Sequence, residues 1–158
     1  MTTASFGLPP ASLRSRRAGR DPSPVSAATI RPARARSLAL VGLTSTGSVA
    51  FQVQYQRTTG GSSQIRASTT RRGGQTTTAW FSITDAAHAV EIGWQSATSA
   101  AVTLSIDGVV VQTLTSLDTG SYRIETVRLG PSTGLANGMN GNGYVDGFVS
   151  TRTSAIGP

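Results

Sequence analysis

His88 is the one histidine of this chain, and Asp85, Glu91, Asp107, Asp118, Glu125 and Asp146 are its carboxylates beyond residue 37. Glycoside hydrolysis would need two such acids flanking one bond, about 5 to 9.5 Å apart, with one protonating the leaving oxygen. Acids at alternate positions of a strand would project together, but Gly93 and Gln95 stand where partners of Glu91 would be. Glu125 belongs to a different strand. Acyl transfer would need a base beside a nucleophile, and His88 shares the parity of Val90, Ile92 and Trp94, which suits a hydrogen-bonded histidine at a strand end. One histidine cannot build a multi-histidine metal centre, and the absence of cysteine removes thiolate zinc sites, disulfides and a cysteine nucleophile. No catalytic residue is assigned, and the chain is not expected to be an enzyme.

Binding chemistry has more material. Carbohydrate recognition uses a flat aromatic against the sugar's C–H face together with convergent amides or carboxylates. Trp80 is the leading aromatic, because its parity is opposite to Phe81 and Ile83. Asn137, Asn140 and Asn142 offer amides, although each precedes a glycine, a pattern that tight turns also explain. Asp118, in the loop LTSLDTGS, is the carboxylate least committed to local structure. Calcium takes carboxylate and carbonyl oxygens, so Asp118 and Asp146 are its weak candidates; no D-x-[DN]-x-[DN]-G loop is present. No metal is assigned, and calcium is the only cofactor in view.

These residues sit in short runs rich in Val, Ile, Thr and aromatics, separated by Gly, Ser, Asn and Asp, with no helical period of ten residues. Along 49–56 Val49, Phe51, Val53 and Tyr55 alternate with Ala50, Gln52, Gln54 and Gln56, which places one face in a core and the other in water. Further strands are expected at 79–83, 88–95 and 143–150, at 122–129 with a bulge, and more weakly at 38–43 and 64–68. In AVTLSIDGVVVQTL, Asp107 and Gly108 suit the positive φ angles of a two-residue type I′ turn. That turn predicts a hairpin in which Ile106 faces Val109, Leu104 faces Val111 and Val102 faces Thr113. The fold class is therefore all-β, an antiparallel β-sandwich or barrel.

The order HAVEIGWQ, a small-residue turn, AVTLSIDGVVVQTL, TVRLG, a Gly/Asn loop and NGYVDGFVSTR resembles the C-terminal half of concanavalin A-like domains of the laminin-G-like group. The likeness covers about half the chain and rests on order and spacing, since a DG hairpin alone is common. It implies a jelly-roll sandwich from a bacterial surface protein, extracellular or at the cell surface, often with calcium, and a non-catalytic role in carbohydrate binding or adhesion to a glycan or surface protein. It also implies more N-terminal strands than the body holds, so an incomplete sandwich is expected. A structural spacer with no ligand is the alternative within this fold.

Charge divides the chain in two. Residues 1–36 hold Arg14, Arg16, Arg17, Arg20, Arg31, Arg34 and Arg36 against Asp21 alone, whereas the arginines and acids of 37–158 nearly cancel; the net charge of +7 thus belongs mostly to the head. Rich in Pro, Ser, Ala and Arg and without apolar period, 1–36 reads as a disordered segment ahead of a sandwich domain at 37–158. The head has no apolar stretch of about 7 to 15 residues after its arginine cluster and so does not read as a secretory signal. Nucleic-acid binding through this arm is a second alternative, disfavoured because no aromatic is interleaved to stack on bases. No apolar run reaches the roughly 20 residues of a helical membrane span. Oligomeric state is not legible.

Overall fold

The computed structural model describes residues 2–7, 35–130 and 146–151, and these are strands and their connections, with no helix. In chain order the strands are β1 (Thr2–Gly7), β2 (Ala35–Leu43), β3 (Val49–Arg57), β4 (Ser63–Arg71), β5 (Gly74–Thr77), β6 (Phe81–Ile83), β7 (Ala89–Trp94), β8 (Ala100–Ile106), β9 (Val109–Leu117), β10 (Thr126–Leu129) and β11 (Asp146–Thr151). All pairings are antiparallel. One sheet runs β11-β1-β7-β8-β9; the other runs β10-β2-β3-β4-β5, with β6 also on β4.

The two sheets close on one apolar layer. Leu40, Phe51, Val53, Ile65 and Ala67 come from the β2–β3–β4 sheet, and Val90, Ile92, Trp94, Val102 and Leu104 come from the other; all are buried. Alternation is the cause: Phe51 and Val53 point inward while Gln52 and Gln54 stay half-buried on the outer face. Each such aliphatic or aromatic side chain contributes roughly 1.5 to 3 kcal/mol by leaving water. Trp94 joins the sheets, with its ring centroid 6.3 Å from that of Phe51 and its indole N–H donating to Thr69 Oγ1 at 3.0 Å. An antiparallel sandwich is therefore the architecture of this chain.

Turns follow their residues closely. The β2–β3 connection, Thr44-Ser45-Thr46-Gly47-Ser48, and the β3–β4 connection, Thr58-Thr59-Gly60-Gly61-Ser62, share one design. In each the first Thr N–H donates to the Ser carbonyl, the Gly N–H returns to the Thr carbonyl, and the Ser N–H donates to the Thr hydroxyl. Gly47 at φ 80° and Gly61 at φ 85° supply the left-handed residue that a three-residue hairpin loop demands.

Several expectations need correction. The hairpin at Asp107 (φ 52°) and Gly108 (φ 77°) forms, with Ile106 opposite Val109, but its register then slips. Leu104 faces Gln112 rather than Val111, and Val102 faces Leu114 rather than Thr113, because an irregularity between Leu104 and Ser105 absorbs one β9 residue. Residues 122–125 are not strand; Tyr122 and Ile124 pack on the core from an irregular connection, which explains the parity change without a bulge. His88 lies just before β7 rather than within it, and β5, polar along its length, is a strand that no apolar pattern marks. Within the segment read as disordered, residues 2–7 form β1 between β7 and β11, and 35–36 belong to β2; the remainder of 1–36 lies outside the described residues.

Candidate functional site

The β2–β3 turn and the β9–β10 connection meet at one end of the sandwich. Thr119 holds the second of these. It is fully buried, its hydroxyl donates to Gln95 O at 2.7 Å, and its carbonyl receives the Tyr122 N–H at 2.9 Å. Further on, Glu125 N–H donates to Leu43 O at 2.9 Å and lays the connection against the end of β2. Between the two segments lies an open cleft of about 280 Å³, with Thr44, Ser45, Thr46 and Ser48 on one wall and Gly120, Ser121, Tyr122 and Arg123 on the other. Its volume falls just below the range of ligand pockets, about 300 to 1,000 Å³.

The first wall is a chain of hydroxyls. Thr44 Oγ1 lies 3.0 Å from Thr46 Oγ1, which lies 3.2 Å from Ser48 Oγ. Opposite, Tyr122 is half-buried against the core and Arg123 is exposed. A half-buried aromatic, a guanidinium and several hydroxyls around one concavity can hold a polyhydroxylated ligand by apolar contact and hydrogen bonding together. Sequence reasoning passed over these residues. GLTSTGSV reads only as a turn and SYRIE only as a strand, and their meeting is a tertiary event.

The residues chosen from sequence are dispersed. Trp80 stands on the outer face of β4, half-buried, with the Arg66 guanidinium carbon 4.5 Å from the centre of its ring. Arg66 also donates through Nε to Gln54 Oε1 at 2.7 Å, so a cation covers one stacking face of the indole. Asp118 is engaged locally: Oδ1 accepts the Gly120 N–H at 3.3 Å, and its carbonyl accepts the Arg72 N–H at 2.7 Å. Asp146 opens β11, at the opposite edge of the sheet from β9. Four strand spacings of about 4.8 Å put roughly 19 Å between those edges, too far to share a cation. Among the described residues no three His, Cys, Asp or Glu side chains gather at a metal-binding distance. Asn137, Asn140 and Asn142 lie outside the described residues.

One polar array has the order hydroxyl, imidazole, carboxylate. Thr84 Oγ1 is 2.8 Å from His88 Nε2, and His88 Nδ1 is 2.7 Å from Asp107 Oδ2. A carboxylate only accepts, so Nδ1–H donates to Asp107, and Nε2 shares the remaining hydrogen bond with the Thr84 hydroxyl. Asp107 Oδ1 takes the Ala89 N–H at 2.9 Å, and the Asp107 N–H returns to Ala89 O at 2.7 Å. Every member thus ties the β8–β9 turn to the start of β7.

The hydrogen bond from His88, aided by that from Ala89, holds the Asp107 carboxyl below its ordinary value, against partial desolvation. A carboxyl that titrates lower in the folded state adds stability above its unfolded pKa and loses it as pH falls through the folded one. Urea unfolding is therefore expected to weaken between about pH 5 and pH 2, with this pair contributing about 0.2 to 1 kcal/mol, the range of exposed ion pairs. Asp107→Asn keeps an Asn-Gly type I′ turn and should flatten that part of the profile. An unchanged profile in the variant would show that the array carries no stability.

No protein-family model, curated protein or solved structure matches this chain. The sandwich and its cleft are therefore the ground for a functional reading.

Proposed function

We propose that this sandwich is a non-catalytic, lectin-like module that binds carbohydrate, or mediates adhesion through it, within a larger surface or secreted protein. The observation that carries the reading is the cleft between the β2–β3 turn and the β9–β10 connection, where hydroxyls, Tyr122 and Arg123 line one open concavity. The resemblance of the sequence 80–152 to laminin-G-like domains, in the order and spacing of its motifs, also supports it.

A broad glycan array with the full chain tests the proposal. Tyr122→Leu keeps apolar bulk against the core while removing the ring and hydroxyl. It is expected to weaken the bound glycan roughly tenfold, about 1.4 kcal/mol, with the melting transition retained. Trp80→Ala is expected to bind as the parent does. Loss in Trp80→Ala with full binding in Tyr122→Leu would move the site to the outer face of β4, and no binding anywhere on the array would favour the spacer role.

A further inference from the structure

We infer that the cleft selects acidic saccharides, those whose units carry a carboxylate, over neutral ones; the inference rests on the carbohydrate reading above. Among the described residues Arg123 is the one charged side chain that lines the cleft. It is exposed, and among the described residues no carboxylate lies within ion-pairing distance of it. The nearest acids in sequence are Asp118, whose Oδ1 already accepts the Gly120 N–H, and Glu125, which is exposed and does not line the cleft. A guanidinium presents planar, paired N–H donors that match a carboxylate.

The opposite wall complements it. Thr44 Oγ1 accepts the Ser48 N–H at 3.1 Å, so its own proton is available to run along the hydroxyl chain through Thr46 to Ser48. When the protons run that way, the Ser48 hydroxyl keeps one donor beyond the chain. One wall thus ends in an O–H donor and the other in a cation, and neither offers a negative group. A carboxylated sugar ring placed between them satisfies both, with its hydroxyls left for the remaining Ser and Thr groups.

The test uses the full chain and tetramers of galacturonate, mannuronate and glucuronate, each beside its methyl ester, which keeps the stereochemistry and removes the charge. Calorimetric titration at low salt is expected to show at least one acid binding about tenfold more tightly than its ester, a preference that shrinks as salt rises. Arg123→Gln should bring the ratio near one while leaving ester affinity and the melting transition unchanged, and Arg123→Lys should restore part of the preference. Equal affinity for acid and ester, or a preference that Arg123→Gln does not alter, would overturn the inference and leave carbohydrate binding standing. Binding to none of the six ligands, after a blank glycan array, would instead remove the carbohydrate reading. A thymidine oligonucleotide that binds and loses affinity in Arg123→Gln would overturn the inference in favour of a phosphate site.

Discussion

Trp94→Ala is expected to lower the unfolding free energy by about 3 to 5 kcal/mol, the range for deleting a large buried aromatic. Three features place it at the upper end of effects in this molecule. The side chain is 2% exposed, so nearly all of its surface would be returned to a cavity. Its ring leans on Phe51 of the opposite sheet with centroids 6.3 Å apart, within contact range for aromatic pairs. The indole N–H ends on Thr69 Oγ1, whose own proton goes to Ala50 O at 3.0 Å. Trp94→Phe therefore leaves no buried donor without an acceptor and should cost about 1 to 2 kcal/mol. Denaturant melts of the two variants check this, and a Trp94→Ala midpoint equal to that of the parent would mean the sheets do not close on this residue.

Gly42→Ala is the second large effect, and it acts by overfilling. A β-carbon at Gly42 would sit 2.7 Å from Cδ1 and 2.9 Å from Cζ of Phe51, and closer still to its Cε1. Gly42 pairs with Phe51 across β2 and β3, so the ring lies over the glycine and fills the space a side chain would take. Phe51 is fully buried and braced by Trp94, which leaves it little room to yield. A cost of about 1 to 3 kcal/mol is expected. Adding Phe51→Leu to Gly42→Ala should recover part of the loss, so that the double variant is more stable than the sum of the singles predicts, by about 0.5 kcal/mol or more. Strict additivity would mean that the contact is not the cause.

The same two residues show what was readable beforehand. Phe51 and Trp94 fall on strict alternations, and strict alternation has one solution, a half-buried strand. Where one face is not apolar the signal disappears: β5, GQTT, is polar throughout, and β1, TTASFG, gains its place from β7 and β11 rather than from any pattern of its own. Register was readable only as far as the turn dictated it. Asp107 and Gly108 fix Ile106 against Val109, and the slip two residues later leaves no mark in a run as uniform as VVV.

The site was less legible than the fold for a related reason. Parity alone marks Trp80 as a stacking surface, yet β4 and the residues before β6 run in a register that sets Arg66 over it. Asp118 looked uncommitted in sequence because its partners, Gly120 and Arg72, are backbone groups supplied by a loop and a neighbouring turn. Tyr122 and Arg123 acquire significance only when Thr119 and Glu125 anchor their loop beside the β2–β3 turn. Residue types near a turn are weak signals; their convergence is set by long-range pairing.

The most direct measurement of the central claim is a titration of the isotope-labelled full chain with the tightest-binding saccharide, followed by backbone amide chemical shifts. Perturbations are expected to concentrate at 44–48 and 120–123, the two walls of the cleft. Shifts centred instead on Gln54, Arg66 and Trp80, or spread without focus over the molecule at saturating ligand, would contradict a saccharide site between the β2–β3 turn and the β9–β10 connection.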